Sequence, residues 1–333
     1  VVAPGVNILS ADSPEGGIFD GGLFSVISGT SFSSPHVAGL FALLKQAKPH
    51  WSPAAARSAF MTSARQDIKE TFGDEVATPF DIGAGMVNPA GAIATDLVYE
   101  TDAVDYAAYN CGQGIVEEPA RCAALEAAGE SFDPAQLNYP SITAAEVVGS
   151  KTITRTVTNR SGRTRTWVAS VEAPPGFSVT VSPHRFRLRD GHSKTFTMTI
   201  TTQASATVGE WSFGSLTWTT RARRAVNRFL PGLGNRLRSL GEVRSPITVK
   251  AERFSAPELV SGTGSSGSGS FDVRFGYTGA YTAQVHGLNA PTPTLVAVSD
   301  DPANEFVFNS TGTAIAFLDE IPPGTAAVRF ATF

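Results

Sequence analysis

In the N-terminal part of the chain apolar positions come in solid blocks, whereas from Leu137 onward they alternate with polar ones. Val37 to Leu44 reads Val, Ala, Gly, Leu, Phe, Ala, Leu, Leu, apolar on every face, which predicts a helix packed inside a sizeable domain. Small residues at Ser28, Gly29, Thr30, Ser33 and Ser34 precede it; Thr30, Ser31, Ser33 or Ser34 is expected to cap it, with Pro35 inside the first turn. Lys45, Lys48 and Pro49 end it. Pro53 opens a second helix over Ala54 to Ala64, and Pro89 a short helical turn through Ile93. From Leu97 to Pro134 an acidic connector follows, partly helical around Pro119 to Ala128.

Beyond it, Lys151 to Thr158 and Lys194 to Thr201 alternate with period two, and Trp167 to Val171, Phe177 to Ser182, Gly209 to Trp218 and Val243 to Val249 also read as strands. Breaks at Asn159, Gly162, Pro174, Pro175, Gly176, Pro183 and Gly191 space them as in a β-sandwich. Ser261 to Ser270 has the composition of a flexible linker. The alternation then resumes over Phe271 to Tyr277, Tyr281 to Val285, Thr294 to Val298 and Ala314 to Phe317, predicting a second sandwich. Ala327 to Phe333 stops inside an apparent strand, so this sandwich is expected to be truncated. The pattern alone thus reads as a helix-rich part followed by two β-sandwich domains.

Composition narrows the chemistry. A chain of 333 residues is long enough for two or three cores. Charged residues make up 17%, and a net charge of −4 spread over that length gives no reason to expect a nucleic-acid partner. No apolar run is long enough to span a membrane. The two cysteines, Cys111 and Cys122, have no histidine between or beside them, so neither a metal site nor any cofactor is expected. A local disulfide stapling the connector is the preferred reading, two separate reduced thiols the alternative; the disulfide would imply an oxidising compartment. Asp300, Asp301 and Glu305 lack the regular spacing of a calcium loop. Asn159-Arg160-Ser161 and Asn309-Ser310-Thr311 are sequons, relevant in a glycosylating host.

Ser31 is the candidate nucleophile. The small residues around it leave its backbone uncovered, and a helix start supplies unpaired N–H groups and the positive end of the helix dipole for a developing oxyanion. A serine hydroxyl needs a base within hydrogen-bond reach. His36, five positions on, is rotated by roughly 140° on a helix and points away from it, which favours a packed, hydrogen-bonded helix histidine. His50, His184, His192 and His286 sit in no context that suggests a base. Asp190-Gly191-His192-Ser193 holds three triad residue types, but sequence neighbours across a turn rarely bring their functional atoms together.

Gly29-Thr30-Ser31-Phe32-Ser33-Ser34-Pro35-His36-Val37-Ala38-Gly39 resembles the active-site serine motif of the subtilisin-like serine peptidases, the subtilases. Val2-Ala3-Pro4-Gly5-Val6-Asn7-Ile8 resembles the strand and turn before that serine, Trp51 through Ala64 the helix after it, and Phe80 through Pro89 the family's closing segment. The resemblance implies that Ser31 is the nucleophile, that its own N–H is one oxyanion donor, and that Gly29, Thr30, Pro35 and His36 are structural residues of the motif. In subtilases the aspartate, the base histidine and the oxyanion asparagine lie upstream of the serine. Here only Asp12 and Asp20 precede Ser31, in settings unlike the family's, and no histidine does. With Val1-Val2 in place of an initiator methionine or signal peptide, the chain is expected to be a fragment or processed product, inactive alone and dependent on the missing N-terminal part of the peptidase domain.

The resemblance implies the fold class α/β for the partial subtilase domain, followed by two β-sandwich domains; the expected layout is thus a C-terminal part of a subtilase domain over 1–97 and a connector over 98–136. A sandwich resembling the fibronectin-III-like domain of such enzymes takes 137–250, with a basic insertion at 221–240, and the second sandwich takes 251–333. The insertion, carrying Arg221, Arg223, Arg224, Arg228, Arg236 and Arg238, is a solvated loop or a grip on an anionic surface. Polypeptide substrates and a secreted or cell-surface location follow from the resemblance. The alternative is a noncatalytic extracellular adhesion or scaffolding module.

Overall fold

A computed structural model describes residues 1–15, 22–69, 75–115, 118–220, 242–257 and 270–276. The chain divides into two units, Val1–Thr278 and Gly279–Phe333. The second unit, and with it most of the second sandwich, lies outside the described residues, as do the Ser261 to Ser270 linker, apart from its last residue, and the basic insertion.

The first segment forms a two-stranded antiparallel ribbon, β1 (Ile8–Ala11) and β2 (Phe24–Ile27), with Leu9 opposite Val26. Helix α1 (Thr30–Ala47) follows, then α2 (Pro53–Thr62), α3 (Pro79–Ile82) and α4 (Pro89–Ala94). Proline at N1 and a polar cap start three of these helices. Ser52 Oγ accepts from Ala55 N–H at 3.1 Å, Thr78 Oγ1 from Phe80 N–H at 3.3 Å, and Asn88 Oδ1 from Gly91 N–H at 3.1 Å. The Thr78 hydroxyl and N–H both bond the Asp81 carboxylate, which holds its pKa below the usual carboxylate value. Leu44, Ala59, Phe60 and Ala92 form a small core in which α1, α2 and α4 meet, with Phe41 packed on Phe60 at 4.9 Å.

After the short strand β3 (Leu97–Val98), α5 (Ala103–Gly112) and α6 (Pro119–Ala127) make the connector. Cys111 and Cys122 are joined, with Cα atoms 5.7 Å apart. Helix α6 buries no residue, so little besides this bond fixes it. In the chain-entropy picture a loop of this size is worth about 3 kcal/mol, here spent on a local unit able to detach alone. We expect a Cys111→Ser, Cys122→Ser pair to open α6 to limited proteolysis while the melting of the β-sheets stays in place; unchanged protection of α6 would refute this.

Eight further strands build the body: β4 (Ile142–Val148), β5 (Ser150–Asn159), β6 (Arg165–Glu172), β7 (Phe177–Ser182), β8 (Arg185–Leu188), β9 (Ser193–Thr202), β10 (Trp211–Thr220) and β11 (Val243–Glu252). One sheet runs β4-β11-β10-β6-β8, the other β3-β5-β9-β7. Every pairing is antiparallel except β11 with β4. Their inner faces share one core in which Trp167, Trp218, Phe196, Ile153, Met198 and Ile247 are fully or almost fully buried. On the outer face of β5 and β9 threonines pair across the strands, Thr152 with Thr199 at 3.0 Å and Thr156 with Thr195 at 2.9 Å.

Arg155 stands in phase with Ile153 and Val157 on the buried side and is 2% exposed. Its guanidinium donates to the carbonyls of Ala135 (2.8 Å), Thr154 (2.9 Å) and Tyr139 (3.2 Å), pinning the Leu137 to Tyr139 approach to the sheet. Burial pushes its pKa down to about 10, so it remains charged at neutral pH.

Candidate active site

The candidate serine sits where three strips of chain converge. Val1 to Gly5 threads between the Ser28 to Ser33 turn and the Gly83 to Val87 segment. Val2 N–H donates to Gly85 C=O at 3.0 Å and Val87 N–H to Val2 C=O at 2.9 Å. On the other side Gly29 N–H donates to Gly5 C=O at 2.8 Å, and Ser33 Oγ to Ala3 C=O at 3.1 Å. Asn7, at φ 53°, bends the chain so that its N–H reaches Ser28 Oγ at 2.9 Å. Gly5 has no room for a side chain, since a Cβ there would fall on Ser33 Oγ.

Ser31 is the second residue of α1 and is exposed. Among the described residues no side chain hydrogen-bonds its hydroxyl. Its N–H belongs to the first turn of an 18-residue helix, where backbone donors lack intrahelical partners. Gly29, in extended backbone at φ 169°, is the N-cap and gives no side-chain cap. The expectation of a cap from Thr30, Ser31, Ser33 or Ser34 is therefore corrected: Thr30 and Ser31 are already helical, and Ser33 is held by Ala3. The helix starts earlier than the apolar block suggests, which puts Pro35 in its second turn. Its ring leaves the Ser31 carbonyl without the usual N–H partner four residues on.

His36 Nδ1 donates to Phe32 C=O at 2.7 Å, a bond within its own helix, and the ring is exposed. His192 bonds the carbonyl of Asp190 through Nδ1 at 3.0 Å, and the Asp190 carboxylate accepts from Gly162 N–H, so no aspartate–histidine pair forms there. Among the described residues no cluster of histidine, cysteine, aspartate or glutamate is placed to hold a metal ion.

The all-apolar helix is not enclosed. Of α1, Leu44 alone is buried, Leu43 is 57% exposed, and the neighbouring ribbon shows Leu9, Phe24 and Val26 at 69%, 65% and 57% exposure. The expectation of a helix packed inside a domain is thus not met among the described residues, and the apolar face of α1 stays open. A cavity of about 690 Å³ opens elsewhere, between α5 and strands β4 and β5, lined by Tyr106, Tyr109, Tyr139 and Arg155 among others; none of its lining comes from the Ser31 turn.

Comparison with known proteins shows the family. Residues 1–93 match the model of the Subtilase family, and residues 136–230 that of a Fibronectin type-III domain. The chain is part of a subtilase domain followed by a fibronectin type-III-like domain. Subtilisin-like protease SBT3.2 of Arabidopsis thaliana is 40% identical over 242 residues, covering 68% of this chain and 32% of that protein. SBT3.9 and SBT1.7 of the same plant are 37% and 36% identical, over 66% of this chain and 30% and 31% of theirs. The chain thus spans about a third of the length of the curated relatives it matches.

The subtilase part and the fibronectin-like part are packed together. Tyr99 N–H donates to Ser58 Oγ at 2.9 Å, and the Tyr99 hydroxyl accepts from Ser245 Oγ at 3.0 Å. Burial raises the pKa of that phenol, so it stays neutral. Arg57 lies over the rings of Tyr139 and Tyr106 at 4.7 and 5.6 Å, and Phe80 meets Trp211 and Phe213 edge-on at 5.1 and 5.6 Å. These contacts join residues far apart in sequence, and nothing local announced them. Among the described residues no helix is long and apolar enough to cross a membrane.

Proposed function

We propose that this chain supplies the nucleophile of a secreted or cell-surface serine endopeptidase, with Ser31 attacking the scissile carbonyl of a polypeptide to form an acyl-enzyme. The observation that carries the reading is an exposed serine in the first turn of α1, inside a long subtilase motif, beside an apolar face left open. In this reading the rest of the peptidase domain covers α1 and the β1–β2 ribbon and brings the aspartate, the base histidine and the oxyanion asparagine. The Ser31 N–H is then one of two donors to the oxyanion, and the helix dipole adds to it. His36, its Nδ1 tied to Phe32, keeps the turn in shape, together with Gly29, Thr30 and Pro35. The walls of the substrate cleft come largely from that same part of the peptidase domain. The Cys111–Cys122 bond supports an oxidising, extracellular setting.

The test is covalent labelling by a fluorophosphonate. We expect the longer protein containing this chain to be labelled at Ser31 and the 333-residue chain alone to remain unlabelled. Labelling of the isolated chain would overturn the requirement for residues outside it; failure of the longer protein to react would overturn the peptidase reading.

A further inference from the structure

One path of hydrogen bonds runs from the fibronectin-like sheet to the turn that carries Ser31. Arg244, on β11, donates through Nη1 to Gln66 Oε1 at 2.8 Å, across 178 positions of sequence. A guanidinium can only donate, so it fixes the amide with its oxygen toward Arg244 and its NH2 group away from it. That NH2 group donates to Ala84 C=O at 2.6 Å and Ala64 C=O at 3.0 Å. The next residue, Gly85, accepts from Val2 N–H, and Val2 in turn accepts from Val87 N–H. From there Ala3 holds Ser33 and Gly5 holds Gly29, the residues two positions either side of Ser31.

The path has little slack. Gly85 sits at φ 120°, and a Cβ there would fall on Arg65 C=O and within 2.6 Å of Gln66 Nε2. Arg65 and Met86 exchange both backbone bonds at 2.8 and 2.9 Å, which clamps the residue before Gln66 to the residue after Gly85. Arg244 itself is half-buried within a strand paired on both sides, Thr217 facing it on β10, so its own position is set by the sheet.

We propose that Arg244 and Gln66 are positioning residues for Ser31, making the fibronectin-like sheet part of the serine's mounting. This rests on the reading of Ser31 as nucleophile. Neither residue touches substrate; they set where the Val1 to Gly5 strip lies, and through it the height of the Ser31 turn. A nucleophile displaced by a fraction of an ångström loses rate more than binding.

The experiment compares Ser31→Ala, Arg244→Met, Arg244→Lys, Gln66→Glu and Phe80→Ala in the longer protein, reading the maximal rate of fluorophosphonate labelling separately from the probe's half-saturation, together with the melting temperature. Gln66→Glu is the decisive variant, because its carboxylate keeps the contact to Arg244 but cannot donate to Ala84. We expect Gln66→Glu and Arg244→Met to slow labelling about tenfold at unchanged half-saturation, and Arg244→Lys to recover most of the rate. Phe80→Ala, which removes a different contact between the two parts, is expected to lower the melting temperature and leave the rate unchanged. The proposal is overturned if Gln66→Glu labels at the parent rate, or if Phe80→Ala slows labelling as much as it does. Should Ser31→Ala still be labelled at the parent rate, it is the identity of the nucleophile that fails.

Discussion

Replacing Ser31 with alanine in the longer protein is expected to lower peptide hydrolysis by about 10⁴-fold or more while leaving stability unchanged. The asymmetry follows from what the hydroxyl touches. It is exposed and makes no hydrogen bond to any described side chain, so its loss leaves no buried group unpaired and no cavity. Its neighbours cannot replace it. Ser33 donates to Ala3 C=O, and Ser28 accepts from Asn7 N–H, so both hydroxyls are committed to the turn. A Ser33→Ala variant should therefore behave in the opposite way, losing about 1 kcal/mol of stability and part of the rate through a displaced turn. Turnover assays on both variants, with melting curves alongside, check the pair. If Ser33→Ala were the inactive one and Ser31→Ala kept its turnover, the assignment along the motif would be wrong.

How far the molecule could be read from its sequence depends on the range of the interactions. The strands are legible because period-two alternation of threonine with apolar residues is a local signal, and β5 and β9 lie where it appears. Pro53 and Pro89 likewise mark the starts of α2 and α4. The start of α1 was less legible, because Pro35 reads as a first-turn residue while the helix has already begun at Thr30. The apolar block of α1 predicts a packed helix, yet among the described residues only Leu44 of it is buried, because a sequence pattern reports a preference for burial and not what covers the helix. Arg155 carries a local signal of its own: a charge in phase with Ile153 and Val157 has to be either a break in the strand or a buried cation, and the carbonyls that make burial tolerable come from Ala135 and Tyr139 as well as its neighbour Thr154. The Gln66–Arg244 bond had no local signal at all. The Ser31 turn stands between these cases: its motif is contiguous in the sequence, while the hydrogen bonds that hold the turn come from segments whose contacts only the fold reveals.

Trp218→Ala is expected to cost this chain about 3–5 kcal/mol of stability, read as a large shift of the urea midpoint. Trp218 is fully buried between the two sheets, its ring 4.8 Å from Phe186 and 5.1 Å from Phe196. Truncation removes that contact area and leaves a hole that the paired strands β10 and β6 cannot close without breaking their ladder. Against a total of about 5–15 kcal/mol for an ordinary domain, such a loss is a large fraction of the whole. Trp218→Phe, which keeps a ring in the same slot, should lose much less. An unmoved midpoint for Trp218→Ala would mean that the packing between the sheets does not set stability. The consequence also travels, because β11 pairs with β10 and carries Arg244 and Ser245, which bond Gln66 and Tyr99, and Tyr99 bonds Ser58 of α2. A sheet weakened at Trp218 therefore loosens α2 and, through the Phe41–Phe60 contact, α1 itself. In the longer protein, the temperature at which fluorophosphonate labelling is lost should fall together with the melting temperature of this sheet. Labelling that survives the melting of the sheet would show that the serine's helix is held by the peptidase domain alone.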